Sequence, residues 1–433
     1  MTTRLRLRPI LLAGLLAALS LPAFSETKTS TVPQGVGIKL PPNTKLAIVG
    51  DSITEQKQYS KFIEVYLLAS AGRPDIKVFQ YGWSGERAGG FAARMENDLS
   101  TFQPTAMTLC YGMNDGSYVA FNPGIGNEYE KNMRAILTTA AKLGVTGIVA
   151  GSPGAVDTKY YASKATGPDI YNDNLAHLRD IDAKLAAEYK TGFANVHDEM
   201  INAMTKAKAT LGADYDVCGR DGVHPNSNGQ LLMALAFLKS LGVDGNIGTI
   251  TIDMKGNATA SEGHKVLSSA NGTAELESTR WPFCFEGDAK GGSRSILPFC
   301  DFNEKLNRYT LQVKNLSAPK AKVTWGKETK EFTKEQLASG INLAAEFSST
   351  PFDSAFSKFS GAVGTKQALE TVMIKNLITQ FRSFANDVKE DPEFGTALEL
   401  LKKKMTVKQQ NLDTEARKLL VPVKHTLKVE EVK

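Results

Sequence analysis

Short apolar strands alternate with longer amphipathic helices through the first half of the chain, and this alternation constrains the fold most. The apolar runs lie at 46–50, 76–80, 106–111, 145–150 and 193–196, with helical spacing between them. Strands joined by helices of this length pair in parallel through right-handed crossovers. Such a sheet is covered by helices on both faces. We therefore predict one α/β domain with a parallel sheet over residues 45–245.

The pattern changes after this domain. Short alternating runs separated by Gly, Asn, Ser and Pro predict a small β-rich module at 246–333. Helical spacing returns at 334–433, where apolar residues recur on one face of the segment Lys366 to Val388. We predict a helical C-terminal region that packs back on the module or on the first domain. Neither part carries a motif that assigns it a role.

The first 25 residues have the three parts of a secretory signal peptide. Three arginines form a basic start, an apolar run from Pro9 to Ala23 follows, and a small residue stands at Ser25. The apolar run is short for a membrane span. We predict export to the periplasm or the medium, with residues 26–44 as a linker and no stable membrane anchor after cleavage. The alternative is an uncleaved N-terminal anchor.

Charge and ligand spacing narrow the choice of partners. The formal net charge is +5, and three of the positive charges belong to the arginines of the predicted signal segment. The remaining bias is too small to favour nucleic acid or anionic lipid. The sequence contains no C-x-x-C or H-E-x-x-H spacing. We therefore predict no nucleic-acid partner, no metal and no cofactor.

Four cysteines in an exported chain raise the question of disulfides. Cys110 lies in an apolar strand, and Cys218 has no evident partner nearby. Cys284 and Cys300 flank a Gly-rich segment of the same region, so they are the candidate pair. Sequence alone does not establish connectivity.

Four polar segments stand where a site forms in such a domain. They are Gly50-Asp51-Ser52, Ser84-Gly85-Glu86, Gly112-Met113-Asn114-Asp115 and Asp221-Gly222-Val223-His224. The first three follow predicted strands and the last precedes the final helix, and ligands in open α/β sheets bind at the carboxyl ends of strands. Together they supply a nucleophile, a base, a residue to orient the base, and oxyanion donors. Each segment alone is better explained as a turn, a helix cap or, for His224, a surface histidine, but the four occur in this order within one domain.

The four segments resemble the sequence blocks of the SGNH, or GDSL-like, hydrolase family, named for its signature Ser, Gly, Asn and His. The blocks stand here as 48–55, 81–87, 111–115 and 221–226. The resemblance covers roughly residues 44 to 243. It implies a flavodoxin-like three-layer α/β/α fold and hydrolysis of carboxylic esters. A nucleophile-elbow hydrolase is disfavoured because no G-x-S-x-G surrounds the serine.

The resemblance also implies roles that the chemistry of these residues favours. Ser52 would attack the ester carbonyl, and His224 would accept the serine proton and return it to the leaving alcohol. Asp221 would orient His224. The backbone N–H groups of Ser52 and Gly85, with the side-chain amide of Asn114, would form the oxyanion hole.

The substrate is less constrained by the sequence. Trp83 lies beside the predicted oxyanion glycine, and the predicted loop at 151–174 carries Tyr160, Tyr161 and Tyr171. We predict that these aromatics border the substrate pocket. The alternative is a packed surface loop. The expected substrate is an ester, either a small molecule or an acylated polysaccharide carrying short acyl groups. Acyl transfer to a sugar hydroxyl and non-catalytic glycan binding are the competing functions.

Overall fold

Five parallel strands form the central sheet of the first domain. The computed structural model describes residues 37–162, 166–287 and 290–432, so the predicted signal segment at 1–25 lies outside the described residues. The elements of this domain are β1 (Lys45–Gly50), α1 (Ser52–Glu55), α2 (Tyr59–Val65, continued by a π-helical turn Tyr66–Ser70), β2 (Lys77–Gln80), α3 (Ala88–Phe102), β3 (Ala106–Cys110), α4 (Pro123–Lys142), β4 (Gly147–Gly151), α5 (Pro168–Tyr189), β5 (Gly192–Ala194), α6 (Val196–Leu211) and α7 (Ser227–Ser240). The strand order is β2-β1-β3-β4-β5, and every pair is parallel. This is the flavodoxin-like order, so the predicted fold is confirmed.

The central strands are apolar because helices cover both faces of the sheet. β1, β3 and β4 are buried over almost their whole length. Successive side chains of a strand point to opposite faces. In β1, Leu46 and Ile48 therefore belong to one hydrophobic cluster, while Ala47 and Val49 belong to another on the opposite face.

The rest of the chain combines two more sheets with a long helical segment. Its elements are β6 (Asn246–Asp253), β7 (Thr259–Ala260), β8 (His264–Ala270), β9 (Thr273–Ser278), a 3₁₀ turn (Ser293–Phe299), α8 (Phe302–Leu306), β10 (Arg308–Lys314), β11 (Lys320–Trp325), β12 (Glu328–Thr333), α9 (Lys334–Ser339), β13 (Ile341–Asn342), α10 (Leu343–Glu346), α11 (Asp353–Val372, continued by a π-helical segment Met373–Thr379 and a 3₁₀ turn Gln380–Phe384), α12 (Ala385–Glu390), α13 (Pro392–Arg417) and β14 (Val423–Val432). One sheet has the order β13-β10-β6-β7 and the other β12-β11-β14-β9-β8. None of the helices in the described part of the chain is long and apolar enough to cross a bilayer.

Strand β14 is the central strand of the last sheet, paired with β11 on one side and β9 on the other. The sequence-based assignment of 334–433 to a helical region did not identify it. Its buried residues, His425, Leu427 and Val429, alternate with exposed ones, and charged residues among the latter make the segment look like a solvated tail. The boundary predicted at residue 333 therefore does not separate two structural units, since the described residues pack as one compact unit.

A directed chain of hydrogen bonds fixes two buried histidines in the β-rich module. Trp325 Nε1 donates to His425 Nδ1 at 3.2 Å, which leaves the proton of His425 on Nε2, 2.9 Å from Ser278 Oγ. Ser278 Oγ lies 2.8 Å from His264 Nδ1, and His264 Nε2 lies 2.9 Å from the Ile247 carbonyl. Each imidazole is satisfied as a neutral ring with one donor and one acceptor. Burial lowers the pKa of both histidines, that of His425 to about 3.

A buried ionic cluster attaches α11 to the first domain. Lys366 Nζ lies 2.9 Å from Glu64 in α2 and 3.0 Å from Glu370 in its own helix, and it donates to the Val78 carbonyl in β2 at 2.6 Å. All three charged side chains are at most 1% exposed. Burial raises the pKa of both carboxyl groups, while the two carboxylates raise that of Lys366 against its own desolvation.

All four cysteines are free thiols. The predicted pairing of Cys284 with Cys300 is therefore wrong. The Cys284 sulfur instead lies 3.5 Å from the Pro282 carbonyl and 3.6 Å from the Thr350 hydroxyl. Burial raises the pKa of both thiols, so each behaves as a small apolar side chain.

Candidate active site

Three of the predicted segments meet at the carboxyl edge of the sheet because of its strand order. β1 lies between β2 and β3. Ser52 follows β1, Gly85 follows β2 and Asn114 follows β3, so the three loops are neighbours in space. The point between β1 and β3 is the topological switch point, where open α/β sheets bind ligands.

A hydrogen-bonded chain joins Ser52, His224 and Asp221. Ser52 Oγ lies 2.8 Å from His224 Nε2, and His224 Nδ1 lies 2.6 Å from Asp221 Oδ2. With the proton on Nδ1, the imidazole donates to the carboxylate and leaves Nε2 free to accept from the serine. The His224 side chain is 36% exposed, so a substrate can reach this chain from solvent.

The turn that carries Asp221 and His224 is compact. Asp221 Oδ1 accepts the backbone N–H groups of Val223 and His224, both at 2.9 Å. Partial burial opposes ionisation, but these two donors and the imidazole hold the pKa of Asp221 below its ordinary value. Gly219 has a φ of +78°, and a Cβ there would lie 2.1 Å from the His224 carbonyl oxygen, so the turn closes only with glycine.

Ser52 begins the short helix α1. Asp51 caps this helix, since its carboxylate accepts the Ile53 N–H at 2.9 Å. A residue at the first helical position has no intrahelical acceptor for its own N–H, so the Ser52 N–H is available beside Oγ. Asp51 is fully buried, and its desolvation raises its pKa to about 7.

The other two predicted oxyanion donors have defined orientations. Gly85 is exposed with a φ of +73°, which glycine adopts without strain. Asn114 Oδ1 accepts the Tyr118 hydroxyl at 2.9 Å, so the amide nitrogen faces the opposite way. That nitrogen donates one hydrogen to the Glu86 carbonyl at 3.1 Å, and its only other acceptor in the described residues is Asp51 Oδ2 at 3.5 Å. The second hydrogen is therefore weakly engaged.

Asp115 ties the second and third loops together. Its two carboxylate oxygens accept the N–H groups of Ala88, at the start of α3, and of Gly112, each at 3.0 Å. Burial raises the pKa of Asp115 to about 6. The segment Gly112 to Asp115 includes this residue, but its sequence does not show that the carboxylate bridges two loops.

The tyrosines predicted to border a pocket differ in their burial. Tyr171 is fully buried and Tyr161 is 7% exposed. They stack on each other at 5.5 Å, and Tyr118 stacks on Tyr171 at 5.1 Å. The prediction of a pocket rim is therefore wrong for Tyr161 and Tyr171, which are core residues beneath Asn114. Tyr160 is half-buried, with the Arg220 guanidinium 4.4 Å from its ring centroid.

Trp83 is half-buried beside the second loop, and two cations lie over its ring. The Arg94 guanidinium is 4.9 Å and the Lys375 ammonium 5.1 Å from the ring centroid. Lys375 also contacts both carboxylate oxygens of Glu55, at 2.9 and 3.0 Å. Neither Glu55 nor Lys375 was identified from sequence. Glu55 lies one helical turn after Ser52, but Lys375 lies in the π-helical segment far along the chain.

A concavity of about 520 Å³ lies beside the second and third loops. Its polar lining comes from Arg87, Ser117, Asn122, Glu128 and Asn132. Arg87 stands two residues after Gly85 and Ser117 three after Asn114, and the Arg87 guanidinium donates to the Ser117 hydroxyl at 3.1 Å. Among the described residues, no group of three or more His, Cys, Asp or Glu side chains is arranged to bind a metal ion.

Comparison with known proteins identifies the class. Residues 48–232 match the model of the GDSL-like lipase/acylhydrolase family. This match and the fold together support a carboxylic ester hydrolase of the SGNH type. No curated protein matches the chain.

Solved structures give a more particular likeness. A gut microbial diltiazem-metabolizing enzyme is similar over 92% of this chain and 100% of its own, with 20% identity and a TM-score of 0.71. The fold of the β-rich and helical parts is thus shared as well. A catalytic mutant of an acetylxylan esterase from Geobacillus stearothermophilus matches 47% of this chain and 97% of its own, with 22% identity and a TM-score of 0.40.

Proposed function

We propose that the protein is an exported serine esterase that hydrolyses short acyl esters of carbohydrates through an acyl-enzyme on Ser52. The observation that carries this proposal is the continuous hydrogen-bond chain from Ser52 Oγ through the His224 imidazole to Asp221. Such a chain activates a hydroxyl that is otherwise a weak nucleophile at neutral pH.

In the first half-reaction, Ser52 Oγ attacks the ester carbonyl carbon while His224 Nε2 takes the hydroxyl proton. The imidazolium that forms is stabilised by Asp221, which stays ionised because its pKa is lowered. His224 Nε2 then gives the proton to the alcohol oxygen as the ester bond breaks. The alcohol leaves, and the acyl group remains on Ser52.

The second half-reaction repeats these steps with water. His224 Nε2 removes a proton from the water as its oxygen attacks the acyl carbon, and the proton returns to Ser52 Oγ as the acid departs. In both halves the negative charge on the carbonyl oxygen is stabilised by the N–H groups of Ser52 and Gly85 and by the weakly engaged hydrogen of Asn114 Nδ2.

The polar side chains in the concavity beside the predicted oxyanion loops support a hydroxyl-rich leaving group. Arg87, Ser117 and Asn132 present hydrogen-bonding groups there. Export is supported by the basic, apolar and small-residue pattern of residues 1–25.

An ester panel tests the proposed reaction and substrate class. We expect the purified protein to release p-nitrophenol from the acetate faster than from the butyrate or octanoate, and to release acetate from acetylated xylo-oligosaccharides. Diltiazem belongs in the panel because the enzyme of similar fold metabolizes it. Ser52→Ala is expected to lower kcat by about 10⁶-fold. Unchanged turnover in Ser52→Ala would overturn the mechanism, and a preference for octanoate would overturn the short-acyl assignment.

Export has a separate test. When the full chain is expressed in a bacterial host, the mature protein is expected in the periplasm or medium with Glu26 as its first residue. Cytoplasmic protein that retains its N-terminal segment would contradict the proposed export.

A further inference from the structure

Glu55 connects the nucleophile helix to the oxyanion loop. It ends α1, one turn after Ser52, and its carboxylate accepts the backbone N–H of Ser84. Ser84 directly precedes Gly85, the predicted backbone donor of the second loop. A carboxylate that accepts a backbone N–H makes a charge-assisted hydrogen bond, stronger than a neutral one. The position of this loop therefore depends on the Glu55 side chain.

Lys375 in turn orients Glu55. Its ammonium contacts both carboxylate oxygens, and the two side chains are only 23% and 20% exposed. Although burial opposes ionisation, the hydrogen bonds from Ser84 and Lys375 hold the pKa of Glu55 below its ordinary value. The nearby Lys57 ammonium donates to the backbone carbonyl of Glu55 at 2.6 Å. In the described residues, Lys375 is the cation that pairs with the carboxylate.

The same ammonium contacts the oxyanion loop a second time. Trp83, which precedes Ser84, has the Lys375 ammonium 5.1 Å from its ring centroid. A cation at this distance is attracted to the face of an indole ring. Lys375 thus contacts both the Glu55 carboxylate, which accepts the N–H of the next residue, Ser84, and the Trp83 ring. Trp83 and Ser84 directly precede Gly85.

We propose that Lys375 is a positioning residue for the oxyanion hole, acting through Glu55 and Trp83. This inference rests on the proposed function and extends it. Lys375 lies outside residues 48–232, the part that matches the family model. The C-terminal helical segment is therefore a working part of the active site, because it fixes where a backbone donor of the α/β domain stands.

Substitution of Lys375 by Met tests this proposal with p-nitrophenyl acetate as substrate. Misplacement of a donor by a fraction of an ångström weakens stabilisation of the transition state far more than binding of the ground state. We expect Lys375→Met to lower kcat by about tenfold or more, with KM within about twofold of wild type. Lys375→Arg keeps the charge and is expected to restore most of the lost rate.

Lys239→Met is the matched control. Lys239 is 32% exposed and also pairs with partly buried carboxylates, Glu199 at 3.2 Å and Asp301 at 3.6 Å, but it does not contact the oxyanion loop. We expect this variant to keep the wild-type kcat. Its melting temperature should fall about as much as that of Lys375→Met. Glu55→Gln, which retains an acceptor for the Ser84 N–H, is expected to lower kcat less than Lys375→Met does.

Hydrogen exchange gives a readout that does not depend on turnover. Lys375→Met is expected to speed amide exchange in the peptide that contains residues 83–86, and Lys239→Met is expected to leave it unchanged. An active wild type with unchanged kcat and exchange in Lys375→Met would overturn the positioning role. The positioning role would also be overturned if Lys375→Met lost no more kcat than Lys239→Met and Lys375→Arg did not restore the rate. An inactive wild type would instead contradict the proposed function itself.

Discussion

Two hydrogen bonds fix the orientation of the Asn114 side-chain amide. The Tyr118 hydroxyl occupies its oxygen and the Glu86 carbonyl takes one hydrogen, so the nitrogen and its remaining hydrogen have a fixed direction. Beneath it, Tyr118 stacks on the buried ring of Tyr171. Tyr171, which the sequence placed at a pocket rim, thus supports the Tyr118 ring whose hydroxyl orients Asn114.

Removal of this amide is the first prediction. Asn114→Ala is expected to lower kcat by about 10²–10³-fold, because one oxyanion donor is lost. Tyr118→Phe keeps the ring stack but removes the hydrogen bond to Oδ1, so a smaller loss is expected. Steady-state kinetics on p-nitrophenyl acetate measure both variants. Equal losses in the two, or none in Asn114→Ala, would contradict the assigned role.

The buried carboxyl of Asp51 makes a second prediction. Its pKa is raised to about 7 in the folded protein, so the folded state binds a proton that the unfolded state releases above about pH 4. Its contribution to stability is complete at low pH and is lost as pH rises towards 7, by about 1.4 kcal/mol per pH unit. Asp51→Asn keeps the helix cap and removes this dependence.

We therefore expect Asp51→Asn to gain stability relative to wild type as pH rises from 4 to 7. Urea unfolding of both proteins across this range measures the difference. A difference that stays constant with pH would show that Asp51 titrates in its ordinary range.

Sequence reasoning predicted a site from residues in four short blocks that resemble those of one family: Ser52, Gly85, Asn114, Asp221 and His224. The structure brings the Ser52, His224 and Asp221 side chains into one hydrogen-bonded chain. Sequence reasoning missed Lys375 because 320 residues separate it from Glu55, and nothing local marks either as a partner. It misjudged Tyr161 because an aromatic residue in a loop looks the same whether its ring is buried or exposed. It misjudged Tyr171 because it began the helix at residue 174, whereas α5 begins at Pro168 and buries this ring.

At the scale of elements, β14 shows why the C-terminal region was only partly predicted. The parallel sheet could be predicted from continuous apolar runs in the sequence, since both of its faces are buried. A strand with one exposed face alternates apolar and polar residues, and in β14 four of the five exposed residues are charged. Its central place between β11 and β9 is a long-range pairing that local pattern does not reveal.

His425 of β14, which belongs to the buried hydrogen-bond chain with Trp325 and Ser278, gives a third prediction. The pKa of His425 is lowered to about 3 by burial, so the folded protein stays neutral there while the unfolded chain takes a proton below about pH 6.5. Its contribution to stability is complete above pH 6.5 and is lost as pH falls, by about 1.4 kcal/mol per pH unit.

His425→Gln is the variant that isolates this effect. Gln still offers an acceptor to Trp325 and a donor to Ser278 but does not titrate. The advantage of wild type over His425→Gln in the free energy of unfolding should shrink as pH falls from 7 to 4. Chemical denaturation at stepped pH measures it, and an advantage that grows on acidification would show that the imidazole accepts a proton in the folded state.

The described residues form one compact unit, in which the helical C-terminal region is bonded to the α/β domain. Lys366 of α11 lies between Glu64 and Glu370 in a site closed to solvent. Glu370 also accepts the Gln80 N–H of β2 at 3.0 Å, so the edge of the parallel sheet is bonded to the helical tail. The similarity to a solved structure over 92% of the chain agrees with such an integrated architecture.

The fourth prediction concerns removal of the Lys366 ammonium from this cluster. Lys366→Met leaves two buried carboxylates without a counter-charge and is expected to cost about 3–5 kcal/mol in the free energy of unfolding. Lys418→Met removes an exposed pair with Glu415 and is expected to change stability little. Urea denaturation compares them. A Lys366→Met variant as stable as Lys418→Met would show that the cluster does not secure the tail.

Covalent labelling of Ser52 tests the central claim most directly. A fluorophosphonate reacts with a serine whose proton a neighbouring base removes, so the folded wild type should gain one adduct, mapped by mass spectrometry to the peptide that contains Ser52. Labelling should vanish in Ser52→Ala and become far slower in His224→Ala. Folded wild-type protein without an adduct, or with the adduct on another serine, would contradict the account.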